Sequence, residues 1–188
     1  MEIQDTLEGK FLIAMPGMTD PRFTETLVYM CAHSDGGAMG LIVNKPIPKI
    51  DFSELVEQLG VKTEDKKVDA PVFYGGPVEH ARGFVLHSRD YLVGQATLPV
   101  SDSIALTGTL EILEDIATGH GPDRHLLALG YAGWAPNQLE AEIRSNGWLV
   151  LDGTDDLVFS DSPDAAWGQA FDALGIDRRL LSGEAGFA

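Results

Sequence analysis

Five histidines stand at positions 33, 80, 87, 120 and 125. His33 closes the apolar run that starts at Leu27, and His87 closes the run Gly83–Leu86. Brought together by the fold, with Arg82 beside them, they would bind a metal or serve as acid and base near neutral pH. Kept apart, each is a strand-end histidine with its hydrogen bonds satisfied. No H-x-H or H-E-x-x-H spacing occurs. Glu140 and Glu142 cannot act as a carboxylate pair on one helix face, because positions i and i+2 diverge. Gly75-Gly76-Pro77 has the composition of an anion-binding nest, but Pro77 lacks an N–H and a strand pattern follows instead of a helix, so a tight turn is expected. The chain has no G-x-S-x-G elbow, no G-x-x-x-x-G-K-[ST] loop and no G-x-G-x-x-G fingerprint. The expectation is therefore no catalytic constellation, no metal ligand set and no cofactor.

The elements that must position these residues follow from period and punctuation. Phe11–Met15, Leu27–His33 and Met39–Val43 read as strands, and Ser34-Asp-Gly-Gly37 joins the last two as a hairpin. Asp51-Phe-Ser-Glu54 has capping-box spacing before a helix that Gly60 can stop. Val61–Asp69 reads as a polar loop. Pro71–Tyr74 and Gly83–Leu86 are expected to pair across the Gly-Gly-Pro turn, with another strand near Leu92–Leu98. Leu106, Leu110, Leu113 and Ala117 recur at helical spacing, with Thr107 the expected N-cap and Gly119 the stop. His125–Tyr131 is the most continuous apolar run and reads as a central strand. Asn137-x-x-Glu140 predicts a capped helix through about Ile143, clasped under a turn at Gly130–Trp134. In that turn Tyr131 and Trp134 pack over the sheet edge or rim a partner site. Trp148–Leu151 is a strand, and Ser162-Pro163 opens a last helix carrying Trp167 and Phe171. Hairpins first and helices later predict an α+β fold: one domain over residues 1–188, with a mixed, largely antiparallel sheet and about four flanking helices.

Charge removes several classes. With 29 acidic against 13 basic residues, the net charge is −16. Such a surface repels phosphate backbones and acidic membranes, so direct nucleic-acid binding is disfavoured. The single cysteine, Cys31, sits in an apolar run and is expected to be a buried, unreactive side chain. The N-terminus lacks a signal-peptide pattern and no stretch has the length of a membrane span, so the expected location is the cytoplasm.

Landmarks spread over nearly the whole chain resemble the YqgE/AlgH family of bacterial proteins. They are Phe11-Leu-Ile-Ala-Met-Pro16, Asp20-Pro-x-Phe23, His33, Gly37-Ala-Met-Gly40, Asn44, Gly75-Gly-Pro-Val78, Leu86-His87, Gly130-Tyr-Ala-Gly-Trp134, Gln138-Leu-Glu-x-Glu142 and Trp148-Leu149. The resemblance implies a compact α/β-type fold of unusual sheet topology and little chemistry. One branch is named for a genetic effect on alginate production and is labelled a transcriptional regulator. Two departures stand out: Asn137 where the family commonly has Gly, and Gly108 where it tends to carry a hydroxyl. The candidate functional surface is His33, Asn44, Gly75, Gly76, Pro77, Arg82, His87, Tyr131, Trp134, Gln138 and Glu142. The expected function is a non-enzymatic regulatory or interaction protein with an unidentified protein partner and an indirect influence on gene expression. The alternative is an enzyme with a small-molecule site near His33 and His87.

Overall fold

A computed structural model describes residues 6–61 and 68–181. The strands and helices run in the order β1 (Phe11–Ala14), β2 (Leu27–Ser34), β3 (Gly37–Ile42), β4 (Pro46–Asp51), α1 (Phe52–Gln58), β5 (Pro71–Tyr74), β6 (Val78–Ser88), β7 (Thr97–Pro99), β8 (Ile104–Thr107), α2 (Leu110–Ala117), β9 (His125–Trp134), α3 (Gln138–Arg144), β10 (Trp148–Leu151), α4 (Asp155–Val158) and α5 (Pro163–Ala173). All ten strands join one curled, sheet-dominated layer. Its path is β10-β1-β2-β3-β9-β6-β8-β7, with β4 and β5 branching from it. Every pairing is antiparallel except β5 with β9.

Both faces of the central strands are covered, so their sequences read as unbroken apolar runs. Phe11, Ile13, Leu27 and Tyr29 face one side, with Trp167 and Phe171 of α5 packed there. Leu12, Ala14, Val28 and Met30 face the other, with Trp134, Trp148 and Leu139 of α3. A third cluster joins Phe52 and Val56 of α1 to Ile112 and Ile116 of α2 over Val72, Val85 and Leu127. Cys31 is buried, which pushes its thiol up to about 12.

Several expectations hold. The Ser34–Gly37 hairpin forms with those two residues paired. Asp51 caps α1 by accepting from the Glu54 N–H (2.8 Å). Pro163 opens α5, and β9 is central.

Others are corrected. Pro71–Tyr74 and Val78–Ser88 do not pair with each other; β9 lies between them. Gly130–Trp134 is not a turn but the end of β9. Leu106 and Thr107 belong to β8, not to a helix, and Thr109 is the N-cap of α2. The strand expected near Leu92–Leu98 is β7 alone, after a single 3-10 turn at Gly94–Ala96. β4 carries two prolines and exposed side chains, an edge strand with no alternation to read. The expected Val61–Asp69 loop falls largely on residues 62–67, outside the described residues.

The β5–β6 connection accounts for both glycine motifs. β3 and β5 share one edge of β9, along Ala132–Trp134 and Leu127–Leu129 respectively, and β6 takes the other. The chain must therefore cross β9 between Tyr74 and Val78. At the crossing, a Cβ on Gly76 would collide with the Tyr131 carbonyl, and one on Gly130 would collide with the Gly76 oxygen. Only glycines allow two backbones to approach this closely.

Candidate functional site

The helix α3 is anchored differently from its capping-box pattern. Asn137 holds the expected N-cap position of a helix that runs past Ile143 to Arg144, but it adopts φ +64° and its side chain caps nothing. The reciprocal bonds are shifted two residues back: Gln138 Oε1 accepts from the Ala135 N–H, and the Ala135 carbonyl accepts from the Gln138 N–H, both at 3.0 Å. A left-handed backbone favours glycine and tolerates asparagine, which is the physical content of the Gly-for-Asn exchange.

Freed from the cap, Glu140 accepts from His33 Nε2 (2.7 Å). The Leu7 N–H donates to His33 Nδ1 (3.1 Å), so the ring proton is on Nε2. This bond is the main cause of the Glu140 carboxyl lying below its ordinary range. His33 thus ties the segment before β1 to α3.

Glu142 sits two positions on and holds two indoles. One carboxylate oxygen accepts from Trp134 Nε1 (2.9 Å) and Trp148 Nε1 (2.8 Å); the other accepts from Gln138 Nε2 (3.0 Å). The two indoles meet edge to face at 6.0 Å, and Phe23 stands edge-on to Trp148 at 5.7 Å. This is the structural clasp expected of the segment, built on a strand end and not on a turn. Asn44 is also occupied. Its Oδ1 accepts from the Leu27 N–H and its Nδ2 donates to the Glu25 carbonyl, both at 2.9 Å.

His87 lies elsewhere. It pairs across the sheet with His125 at the start of β9, whereas His33 pairs with Ala38, which pairs with Trp134 at the end of β9. The nine-residue offset along β9 is about 30 Å at 3.3 Å per residue. The two histidines share no hydrogen-bond partner, so they do not form one site.

His87 is fully buried. The Ser88 carbonyl can only accept, so His87 Nδ1 donates to it (2.9 Å); burial favours the neutral ring, whose Nε2 then accepts from the Thr107 hydroxyl (2.8 Å). Thr107 Oγ1 accepts from Thr97 (2.9 Å), whose own oxygen accepts from the Val93 N–H (3.1 Å). This chain accommodates the neutral ring that burial favours and ties β6, β8 and β7 together. Burial lowers the affinity of His87 for a proton, as it does for His125.

The Gly75 N–H donates to the Leu129 carbonyl (2.8 Å), so it is not free for an anion, and Gly76 and Pro77 form the crossing. Among the described residues no three His, Cys, Asp or Glu side chains converge as metal ligands.

Arg82, Tyr131 and Trp134 do come together. They line an open groove of about 620 Å³ where β2–β3, β9 and β6 meet, with Met39, Val78, Glu79 and Phe84. The β6–β9 register breaks between Val78 and Gly83, and Glu79 takes φ +46° in the bulge. The bulge lifts Arg82 onto the rim, 4.9 Å above the Phe84 ring and 3.5 Å from Glu79. Tyr131 meets Phe84 edge-on at 5.8 Å. Met39, Val78, Glu79 and Phe84 were absent from the sequence-derived surface. A bulge leaves no periodic mark, and Met39 and Phe84 read as ordinary strand residues.

Over the described residues the chain is a curled, ten-stranded sheet with a Trp–Glu–Trp clasp and backbones that cross at glycines. The AlgH-like family model matches residues 11–179, and the chain belongs to that family. It is 53% identical to a UPF0301 protein of Jannaschia sp. (strain CCS1), covering 100% of this chain and 98% of that protein. A UPF0301 protein of Paracoccus denitrificans is 49% identical, with both chains covered in full. The solution structure of the AlgH protein from Pseudomonas aeruginosa matches with a TM-score of 0.79 at 37% identity, covering 100% of this chain and 99% of that one. Protein DIP2367 from Corynebacterium diphtheriae shares the fold at 18% identity, with a TM-score of 0.76 over 97% of this chain and 94% of that one. Among the described residues no helix is long and apolar enough to cross a membrane, which says nothing of a β-barrel.

Proposed function

We propose that this chain is a non-enzymatic interaction protein of the cytoplasm that influences gene expression indirectly, through a protein partner held in the Arg82–Tyr131 groove. One observation carries the reading. The side chains best suited to catalysis, His33, His87, Glu140 and Glu142, are each committed to bonds that hold the fold. Arg82 and Tyr131 instead rim an open groove with apolar walls. An aromatic and arginine rim over apolar residues is the usual make-up of a recognition surface. The fitting partner is a protein segment that presents a carboxylate to Arg82 and an apolar side chain to Phe84 and Met39. The charge of −16 supports an indirect route over direct contact with nucleic acid. The enzyme reading near His33 and His87 loses its geometric basis.

The test is site-specific photocrosslinking in living cells. A photoreactive phenylalanine analogue replaces Val78 in the groove, or Leu59 at the end of α1 as a control; both are exposed. The reading expects one reproducible protein adduct from position 78 that is lost in the Arg82→Ala, Tyr131→Ala background. Adducts that are absent, or equal from both positions, defeat it.

A further inference from the structure

A second cleft, separate from the groove, carries a pattern of charge that the fold does not use. It has a volume of about 570 Å³. It is bounded by the β3–β4 connection, the loop before β2, the start of α5 and the 3-10 turn at Arg178–Leu181. Lys45 and Arg178 line it, and so do Glu25 and Asp164. Among the described residues none of these four belongs to an ion pair, although both signs face the same space. Arg179, also in the wall, is already bound to Asp177 through Nε and Nη2.

One of the four charged groups is stacked in place, and the backbone of a second is fixed. The Arg178 guanidinium lies 5.2 Å over the Trp167 ring. Its Nη1 lies close against Gly168, 2.6 Å from where a Cβ there would stand. Stacking on Trp167 pre-organises the planar fork. On the opposite wall, Glu25 sits at φ +53°, a conformation a glutamate rarely adopts. Its carbonyl is gripped by the buried Asn44 amide (2.9 Å), the neighbour of Lys45 in sequence. Strained backbone that is over-determined by its surroundings collects at ligand sites.

We propose that this cleft binds a small zwitterion: an anionic group, carboxylate or phosphate, received by Arg178 and Lys45, and an ammonium group received by Glu25 and Asp164. A simple anion would meet the two carboxylates, and a simple cation would meet the two basic groups. A ligand with both charges on one short scaffold satisfies all four. Asn44 is then a positioning residue, acting through Glu25. This inference is independent of the groove and its partner.

The experiment is a titration of the isotope-labelled full chain, followed by the Lys45 amide and Trp167 indole resonances at constant ionic strength. The probes are glycine, β-alanine and 4-aminobutyrate, which space the two charges progressively, and O-phosphoethanolamine. Acetate and methylammonium serve as half-ligands. At least one zwitterion should saturate both resonances with a dissociation constant roughly tenfold or more below that of either half-ligand, because the second contact becomes intramolecular. An amino acid as the best probe identifies a carboxylate ligand, and phosphoethanolamine as the best probe identifies a phosphate one. Lys45→Gln and Asp164→Asn should each weaken the best probe about three- to fivefold, with unchanged melting temperature, and Arg82→Ala should leave it unaffected. The proposal is overturned if no zwitterion saturates these resonances. It is equally overturned if a half-ligand binds as well, or if both cleft variants leave the affinity within about twofold.

Discussion

The last residues of β9 serve two regions that differ in kind. Ala132 and Trp134 are buried against α3, and the Trp134 indole is tied through Glu142 to Trp148. Their neighbours Tyr131 and Gly133 line the open groove under Arg82, which Trp134 also borders although its indole is held in the clasp. Strand alternation sends successive residues of one motif to opposite faces. The clasp side is closed, with its polar atoms paired inside the protein. The groove side keeps an arginine and a tyrosine at an accessible rim. Residues equally prominent in the sequence thus divide into those that hold the fold and those available to a partner.

The sharpest way to break this contrast is at Glu142. Glu142→Ala leaves two buried indole N–H groups without their acceptor, and should cost about 3 kcal/mol or more. Urea melts read this directly through the midpoint. Glu142→Gln keeps a carbonyl oxygen able to accept and should cost less. If the alanine variant melts like the parent, the clasp does not hold the fold.

The buried His87 chain predicts a pH dependence. Its proton affinity is lowered in the folded protein, as is that of His125, so the unfolded chain binds more protons in acid. The stability they confer is complete above the unfolded value of about 6.5 and is lost as pH falls below it. The slope should approach about 1.4 kcal/mol per pH unit for each histidine titrating. Urea melts at pH 7, 6 and 5 measure it. A flat profile would show that the neutral ring is not required.

Asn137 stands at the N-cap position of α3 in a left-handed conformation, without a side-chain cap bond. Asn137→Ala should cost about 1 kcal/mol, the penalty for a side chain without polar compensation at positive φ. Asn137→Gly should be neutral or slightly stabilising. A capping side chain would instead lose a few tenths with glycine, so the sign of the glycine variant in thermal melts decides.

The smallest effect belongs to the groove. Arg82→Ala removes an exposed cation over Phe84 and should change stability by no more than about 0.5 kcal/mol. A loss of several kcal/mol in the same melts would move Arg82 to the structural side.

Much of the fold was legible because it rests on local signals. The Asp35-Gly36 hairpin, the Asp51 cap, the Pro163 helix start and the apolar run of β9 each depend on residues close in the chain. The errors share a different origin. β8 and α2 adjoin, so Leu106 fell on a helical spacing that its strand pairing overrides. The Asn137–Glu140 spacing fits a capping box, but Glu140 finds His33, a residue 107 positions away. Of the candidate surface, Arg82, Tyr131 and Trp134 converge, whereas His33 and His87 lie at opposite ends of β9.

By itself the sequence determined the family, the α+β character with a largely antiparallel sheet and the prominence of the glycine motifs, because each is written in residue type and local spacing. It also marked Glu142 and Asn44 as notable without revealing their partners. The tertiary structure alone decided that β5 and β6 flank β9, that the glycine motifs are the two halves of one crossing, and which charged groups remain unspent. Those outcomes depend on strand order and register, set by burial over the whole chain, and neighbouring residues carry no record of them.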